Sequence, residues 1–411
     1  MRTGAQAPFC LTSICHEKSA AMPPNPAPKL KSHIAKDRPP FDRIALLLQG
    51  GGALGSYQAG VYEALSEANV EPDWVAGISI GSMNSALIAG NAPELRVARL
   101  RQFWEEITTS PFSIPFMQSF KPKGDYVHSA LNQLRAVGIM LAGANDFFKP
   151  RALPPFLHPP GALEALSFYD VTPLRATLER LVDFDRINAG EMRLSVGATN
   201  VRTGNFAYFD TTTHEIRPEH IIASGALPPG FPPVEIEGEY YWDGGIVSNT
   251  PLQWVLDSRP RADTLAFQVD LWSARGDMPR DIVEVDLRAK EIRFSSRTRQ
   301  GTDQFRKSQQ LRRAVCGLLK QLPGDRRNDP EWKLLEDEAD EKVYNIVHLI
   351  YHASRYESSC KDYEFSRQTM EEHWRAGYND TVRTLRHPEV LERPMNAEGF
   401  STFDLAIDGR E

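Results

Sequence analysis

Two glycine-flanked segments carry side chains capable of acyl-transfer chemistry: Gly77-Ile78-Ser79-Ile80-Gly81 and Asp243-Gly244-Gly245. The first matches G-x-S-x-G, a pattern that sets a serine on a sharp turn between strand and helix with its hydroxyl pushed into the open. A serine hydroxyl becomes a good nucleophile when a base takes its proton, and the tetrahedral intermediate then needs donors for its negative oxygen. Asp243 is a candidate base. It closes the aromatic run Glu239-Tyr240-Tyr241-Trp242, and the two glycines behind it let the backbone approach another loop closely.

The donors have a candidate source in Gly50-Gly51-Gly52-Ala53-Leu54-Gly55. This loop follows an apolar run and opens a helix, so its amides can converge on an anion with the helix dipole behind them. Gly50, Gly52 and Gly55 also match G-x-G-x-x-G, which in other chains cradles a dinucleotide pyrophosphate. That reading wants an acid at the end of the second strand, whereas Asp73 precedes Trp74 and the strand runs into Ser79. A purely structural glycine turn is the third reading of the loop.

No histidine has an informative setting: His214 and His220 flank polar loop sequence, and His348 and His352 lie on an expected tail strand. Asp210 and Asp270 also close expected strands but lack the glycine pair, which leaves Asp243 the better base.

The elements that must hold these groups follow from periodicity. Arg43 to Leu48 is a continuous apolar run of the kind found in a parallel strand buried on both faces, and Ser56 to Glu67 reads as a helix. Trp74-Val75-Ala76 is a second strand, Ile80 to Ala89 an apolar helix, and Pro93 opens another helix through Trp104. This alternation predicts an α/β fold with a mostly parallel sheet. Further strands are expected at Leu194 to Thr199, Phe206 to Phe209, Glu239 to Trp242 and Leu265 to Val269.

Residues 1–40, rich in Pro, Ala, Lys and Ser, read as disordered, and Met22 is an alternative start. A hydrolase-type domain is expected at 41–278, broken at about 108–166 by an insertion holding Pro111-Phe112, Pro115-Phe116-Met117, Phe147-Phe148 and the uncharged run Ala136 to Gly143. The insertion reads either as a lid or acyl-chain wall or as plain packing. A mainly helical extension at 279–395 and a tail at 396–411 complete the chain. Within the extension Leu311, Ala314, Val315, Leu318, Leu319 and Leu322 form an amphipathic stripe, Val343 to Tyr351 reads as a strand, and Ser366 caps a last helix.

Composition excludes several classes. With 41% hydrophobic and 25% charged residues the 411-residue chain is an ordinary globular protein, and a net charge of −7 argues against nucleic-acid binding by the whole chain. Four scattered cysteines, Cys10, Cys15, Cys316 and Cys360, make neither a disulfide framework nor a zinc site, and no metal or cofactor is expected. No run approaches the roughly 18 apolar residues of a spanning helix. A cytoplasmic protein is expected, with peripheral membrane contact left open and no basis for an oligomeric state.

Taken together, the three ordered motifs and Ala223-Ser224-Gly225-Ala226-Leu227-Pro228 resemble the patatin-like phospholipases, serine acyl hydrolases that use a Ser-Asp dyad. The resemblance covers about Ile44 to Leu256, and the helical extension resembles one of unassigned role in a bacterial subgroup. It implies a three-layer α/β sandwich with Ser79 as nucleophile, Asp243 as general base, the Gly50 to Gly52 amides as oxyanion hole, and a lipid acyl ester as substrate. A catalytically silent lipid-binding or scaffold protein on the same fold is the alternative from another class. The basic groups Arg288, Lys290, Arg293, Arg297, Arg299, Arg306 and Lys307 read as a solvated helix face before a headgroup site.

Overall fold

Alternate residues of one strand face two different cores. In β1 (Arg43–Leu48), Ile44, Leu46 and Leu48 pack into one apolar cluster, while Ala45 and Leu47 pack into another on the opposite face. A strand apolar on both sides requires cover on both sides, which makes it the middle of a three-layer arrangement. The computed structural model describes residues 32–109, 125–295, 298–322, 327–352 and 360–405.

Beside β1 lie β2 (Trp74–Ile78) and β9 (Thr264–Asp270), both parallel to it. The remaining strands are β5 (Arg193–Asn200), β6 (Phe206–Asp210), β7 (Val234–Ile236), β8 (Glu239–Asp243), β10 (Tyr344–Ile350) and β11 (Phe400–Phe403). They form a nine-stranded sheet in the order β11-β10-β9-β1-β2-β5-β8-β7, with β6 also paired to β5. Every neighbouring pair from β11 through β5 is parallel, and β6, β7 and β8 add antiparallel pairings. A separate pair, β3 (Lys149–Pro150) and β4 (Tyr169–Asp170), lies in the insertion.

The mixed α/β fold, its mostly parallel sheet and its helical C-terminal region match the sequence reading, and the details differ in four places. Residues 32–40, grouped with the segment expected to be disordered, lie against the domain. The Ala35 N–H donates to the Ala68 carbonyl at 3.1 Å, and Arg38 pairs with Asp73 at 2.5 Å. Residues 1–31, with Met22, Cys10 and Cys15, fall outside the described residues, as do Pro111-Phe112 and Pro115-Phe116-Met117 in the insertion.

The insertion also holds a regular helix, Asp125–Ala142. The C-terminal extension joins the sheet through β10, the strand expected at Val343 to Tyr351, and also supplies β11, which was not expected and lies within the tail. Its last helix, Arg367–Leu385, is capped by Ser366 as expected and packs on α1 (Ser56–Glu67), with Arg101 over the Trp374 ring at 3.9 Å.

The leucine stripe of the extension faces outward. The helix Thr298–Gln321 buries Phe305 and Gln309, and its inward face continues with polar groups: Gln309 and Arg313 donate to the carbonyls of Lys342 and Glu341. Leu311 and Leu318 on the other face are 66% and 60% exposed.

Candidate active site

β2 ends at Ile78, and the next residue leaves the β region: Ser79 has φ 57° and ψ −126° before α2 (Ile80–Ala89) begins. A non-glycine residue held there stores about 1–3 kcal/mol, so its surroundings must over-determine it. They do so through the backbone. The Ser79 N–H donates to Ser224 Oγ at 3.0 Å, Ser224 Oγ in turn donates to the Gly197 carbonyl at 2.6 Å, and the Ser79 carbonyl accepts from the N–H and hydroxyl of Ser82 at 2.9 and 2.6 Å. A Cβ at Gly81 would lie 2.2 Å from the Leu48 carbonyl oxygen, so the turn seats directly on the end of β1.

Sheet register brings the acid to this turn. Gly197 of β5 pairs with Ile78, and its neighbour Ala198 pairs antiparallel with Asp243, so β8 ends beside Ser79. The Asp243 N–H donates to the Ala226 carbonyl at 3.0 Å, so the segment Ala223 to Pro228 holds both the serine turn and the acid strand. The Asp243 side chain is 2% exposed, accepts the Gly245 N–H at 2.7 Å and lines the same cavity as Ser79, whose side chain acts on its titration. Burial pushes its carboxyl up to about 7, against the opposing pull of the Ser79 side chain and the Gly245 N–H.

The glycine loop is tied at two points. Asn249 reaches it with a side-chain amide that accepts the Gly50 N–H at 3.1 Å and donates to the Gly50 carbonyl at 3.0 Å and the Phe294 carbonyl at 2.9 Å. The Ala53 N–H donates to the Asp362 carbonyl at 2.8 Å, and the Leu54 N–H to the Gly51 carbonyl at 3.2 Å. Of the six loop residues expected to bind the substrate, Gly50, Gly51 and Gly52 line the cavity beside Ser79, while Ala53, Leu54 and Gly55 are buried in the turn behind it. Among the described residues no protein acceptor takes the Gly51 or Gly52 N–H, so these two amides lie between the tethered ends.

Ser79, Asp243 and the glycines form the polar end of a cavity of about 310 Å³. Its remaining wall is apolar: Phe147, Phe148, Tyr169, Phe231 and Phe365 contact one another, with ring centroids 4.8 Å apart for Phe148 and Tyr169 and 5.5 Å apart for Phe147 and Phe365. Ile139 and Met140 of the helix Asp125–Ala142 join them, so the insertion contributes part of the cavity wall through these residues and Phe147-Phe148. Serine, carboxylate and unpaired amides at the head of an apolar slot can carry out acyl transfer on an ester whose chain fills the slot.

The competing residues lie elsewhere. Asp210 is fully buried and held by Arg193, Ser195 and Thr212, and Asp270 accepts from Gln268 and Thr250. Among the described residues no histidine lines the cavity; the His220 ring sits against Phe209 and accepts the Arg217 N–H, with its pKa lowered by burial.

Residues 46–256, just over half of the chain, match the family described as Patatin-like phospholipase. This chain belongs to the patatin-like phospholipase family. A second family, described as Patatin phospholipase, matches residues 292–397. Among curated relatives, Patatin-like phospholipase domain-containing protein 6 of Mus musculus is 37% identical over 90 residues, which is 22% of this chain and 7% of the relative. Lysophospholipase nte1 of Aspergillus terreus is 49% identical over 49 residues, 12% and 3% of the two chains. Triacylglycerol lipase SDP1L of Arabidopsis thaliana is 38% identical over 66 residues, 16% and 8%. The match thus spans less than a tenth of each of these relatives. The structure of VipD from Legionella pneumophila aligns with 89% of this chain and 72% of its own, at 16% identity and a TM-score of 0.37.

Within this patatin-like chain, sequence reasoning gave no role to three contributors. Asn249 precedes Thr250-Pro251 and carried only the signal of a helix-start residue, Ser224 was visible only as part of a small-residue segment, and the 360–365 segment gave no signal.

Proposed function

We propose that this chain is a serine acyl hydrolase that cleaves carboxylic esters of lipids, with Ser79 as nucleophile and Asp243 as general base. The observation that carries the reading is a serine on a positive-φ strand-to-helix turn and a buried carboxyl lining the polar end of one apolar cavity. Ser79 Oγ attacks the ester carbonyl carbon as its proton passes to Asp243, and the oxygen that gains the negative charge takes the Gly51 and Gly52 N–H groups. The tetrahedral intermediate collapses to an acyl-enzyme, and the departing alkoxide recovers the proton from Asp243. Water then attacks the acyl carbon with Asp243 as base, releasing the fatty acid and restoring Ser79.

A carboxylate is a weak base at its ordinary pKa; the burial that raises Asp243 to about 7 brings it to the range where general-base catalysis is efficient near neutral pH. The relatives named phospholipase, lysophospholipase and triacylglycerol lipase support a lipid acyl ester as the substrate class. Peripheral contact with a lipid surface is supported by exposed Leu134, Leu141, Phe156 and Leu157 on the insertion that walls the cavity. No helix among the described residues is long and apolar enough to cross a membrane.

The test is hydrolysis by the purified chain of a panel of lyso-, diacyl- and triacyl-lipids, with fatty acid release followed by mass spectrometry. Release that disappears in Ser79→Ala is the expected result. A folded chain that binds these lipids and releases no fatty acid would favour the silent lipid-binding protein on the same fold.

A further inference from the structure

The C-terminal extension reaches the site at a point its helices do not suggest. Its 360–365 segment lies on the glycine loop: the Asp362 carbonyl accepts the Ala53 N–H at 2.8 Å, and a Cβ on Gly52, whose φ is +57°, would come within 2.0 Å of that same oxygen. Gly52 is therefore glycine for two reasons, and one of them belongs to the extension. Asp362, Tyr363 and Phe365, with Phe294 from the extension's first helix, line the cavity that holds Ser79 and Asp243.

The segment is pinned where it does this. Lys290 pairs with Asp362 at 2.6 Å with both side chains largely buried, and Lys361, 3% exposed, pairs with Glu291 at 2.8 Å. Lys290 and Lys361 also face the Trp272 ring, at 5.9 and 5.1 Å, and Trp272 Nε1 donates to the Gly50 carbonyl at 3.0 Å. Partly buried pairs of this kind fix a loop's geometry more than exposed ones do, because removing one partner leaves the other charge uncompensated.

We infer that the extension completes the acyl site: the Asp362 backbone braces one end of the glycine loop, as Asn249 braces the other, and Phe365 closes the cavity and limits the acyl chain it accepts. The brace keeps the Gly51 and Gly52 amides aimed at one point, since the loop between Gly50 and Ala53 is held at both ends. The limit follows from Phe365 standing against Phe147 and Phe148, with centroids at 5.5 and 6.4 Å. Shortening that side chain lengthens the slot. This inference rests on the hydrolase reading, with Phe365 as a specificity-determining residue and Lys290 as a positioning residue.

The test compares the full-length wild type, Phe365→Ala, Phe365→Leu and Lys290→Met on nitrophenyl esters of increasing acyl length, with fold checked by circular dichroism. Phe365→Ala should raise the ratio of long-chain to short-chain kcat/KM by about tenfold, with Phe365→Leu between it and the wild type. Lys290→Met should lower kcat by about tenfold at every chain length while the pH midpoint set by Asp243 stays in place, and Lys290→Arg should restore most of it. Because Lys290 lies outside the aromatic wall, this variant keeps the test open if the Phe365 variants fail to fold.

Folded variants with the wild-type chain-length profile and the wild-type kcat would overturn the inference and leave the hydrolase standing. A wild type that hydrolyses no ester would remove the hydrolase reading and the inference together.

Discussion

The serine turn and the aspartate turn meet in one cavity but are built by opposite means. Ser79 is only partly buried, and what is unusual about it is backbone: a positive φ, locked by Ser224, Ser82 and the seat of Gly81 on β1. Asp243 has ordinary extended backbone, and what is unusual about it is solvent exclusion, which leaves a carboxyl with a pKa of about 7 at the end of a strand. In the proposed mechanism the nucleophile is thus prepared by geometry and the base by desolvation. The two should therefore respond differently to mutation and to pH.

The largest separation is expected between Ser79→Ala and Asp243→Asn. Removing the serine oxygen should cut ester hydrolysis by at least about a thousandfold, while a partly exposed hydroxyl contributes little to folding, so the melting temperature should hardly move. Asp243→Asn should cost about a hundredfold to ten-thousandfold in kcat as the base is lost, and it should stabilise the protein at alkaline pH.

The sign follows from the direction of the shift. An unfolded aspartate titrates near 3.8 and the folded Asp243 near 7, so between those values the native state holds a proton that the unfolded state has released. Stability therefore falls as pH rises from about 4 through 7, by up to about 4 kcal/mol, and levels off above. Asparagine removes that loss, so denaturant titrations at pH 5 and pH 8 should show the variant gaining on the wild type at the higher pH. An equal gain at both would mean that burial does not prepare the base. In the same account wild-type kcat/KM rises with pH to a plateau, with its midpoint near 7.

A smaller effect is expected where the two turns are joined. Asn249 belongs to the loop after Asp243 yet holds both backbone groups of Gly50. Asn249→Ala should lower kcat by up to about a hundredfold through misplacement of the amides proposed to hold the oxyanion, with the pH midpoint unchanged because Asp243 keeps its burial. A shifted midpoint would show instead that Asn249 acts on the acid.

Local patterns made much of this visible in the sequence. The apolar runs at Arg43 to Leu48 and Trp74 onward, and the glycines around Ser79 and after Asp243, each announce a strand end or a tight turn from a few consecutive residues. Contacts between distant parts of the chain carry no such mark. An asparagine before Thr-Pro reads as a helix start, and only the fold shows that it grips Gly50.

Likewise Phe400-Ser401-Thr402-Phe403 is too short to declare itself a strand, and it becomes β11 because β10 offers it an edge. The stripe from Leu311 to Leu322 shows the limit of periodicity itself, which defines a face without saying which side the sheet is on. Here Gln309 and Arg313 find partners on the inward side, and Leu311, Leu318 and Leu322 turn out.

The most direct test of the central claim is reaction of the purified full-length chain with a fluorophosphonate probe, followed by peptide mass spectrometry. The account predicts covalent labelling at Ser79 that requires folded protein, is lost in Ser79→Ala and is strongly slowed in Asp243→Asn. A folded chain that stays unlabelled, or is labelled at another serine, would contradict it.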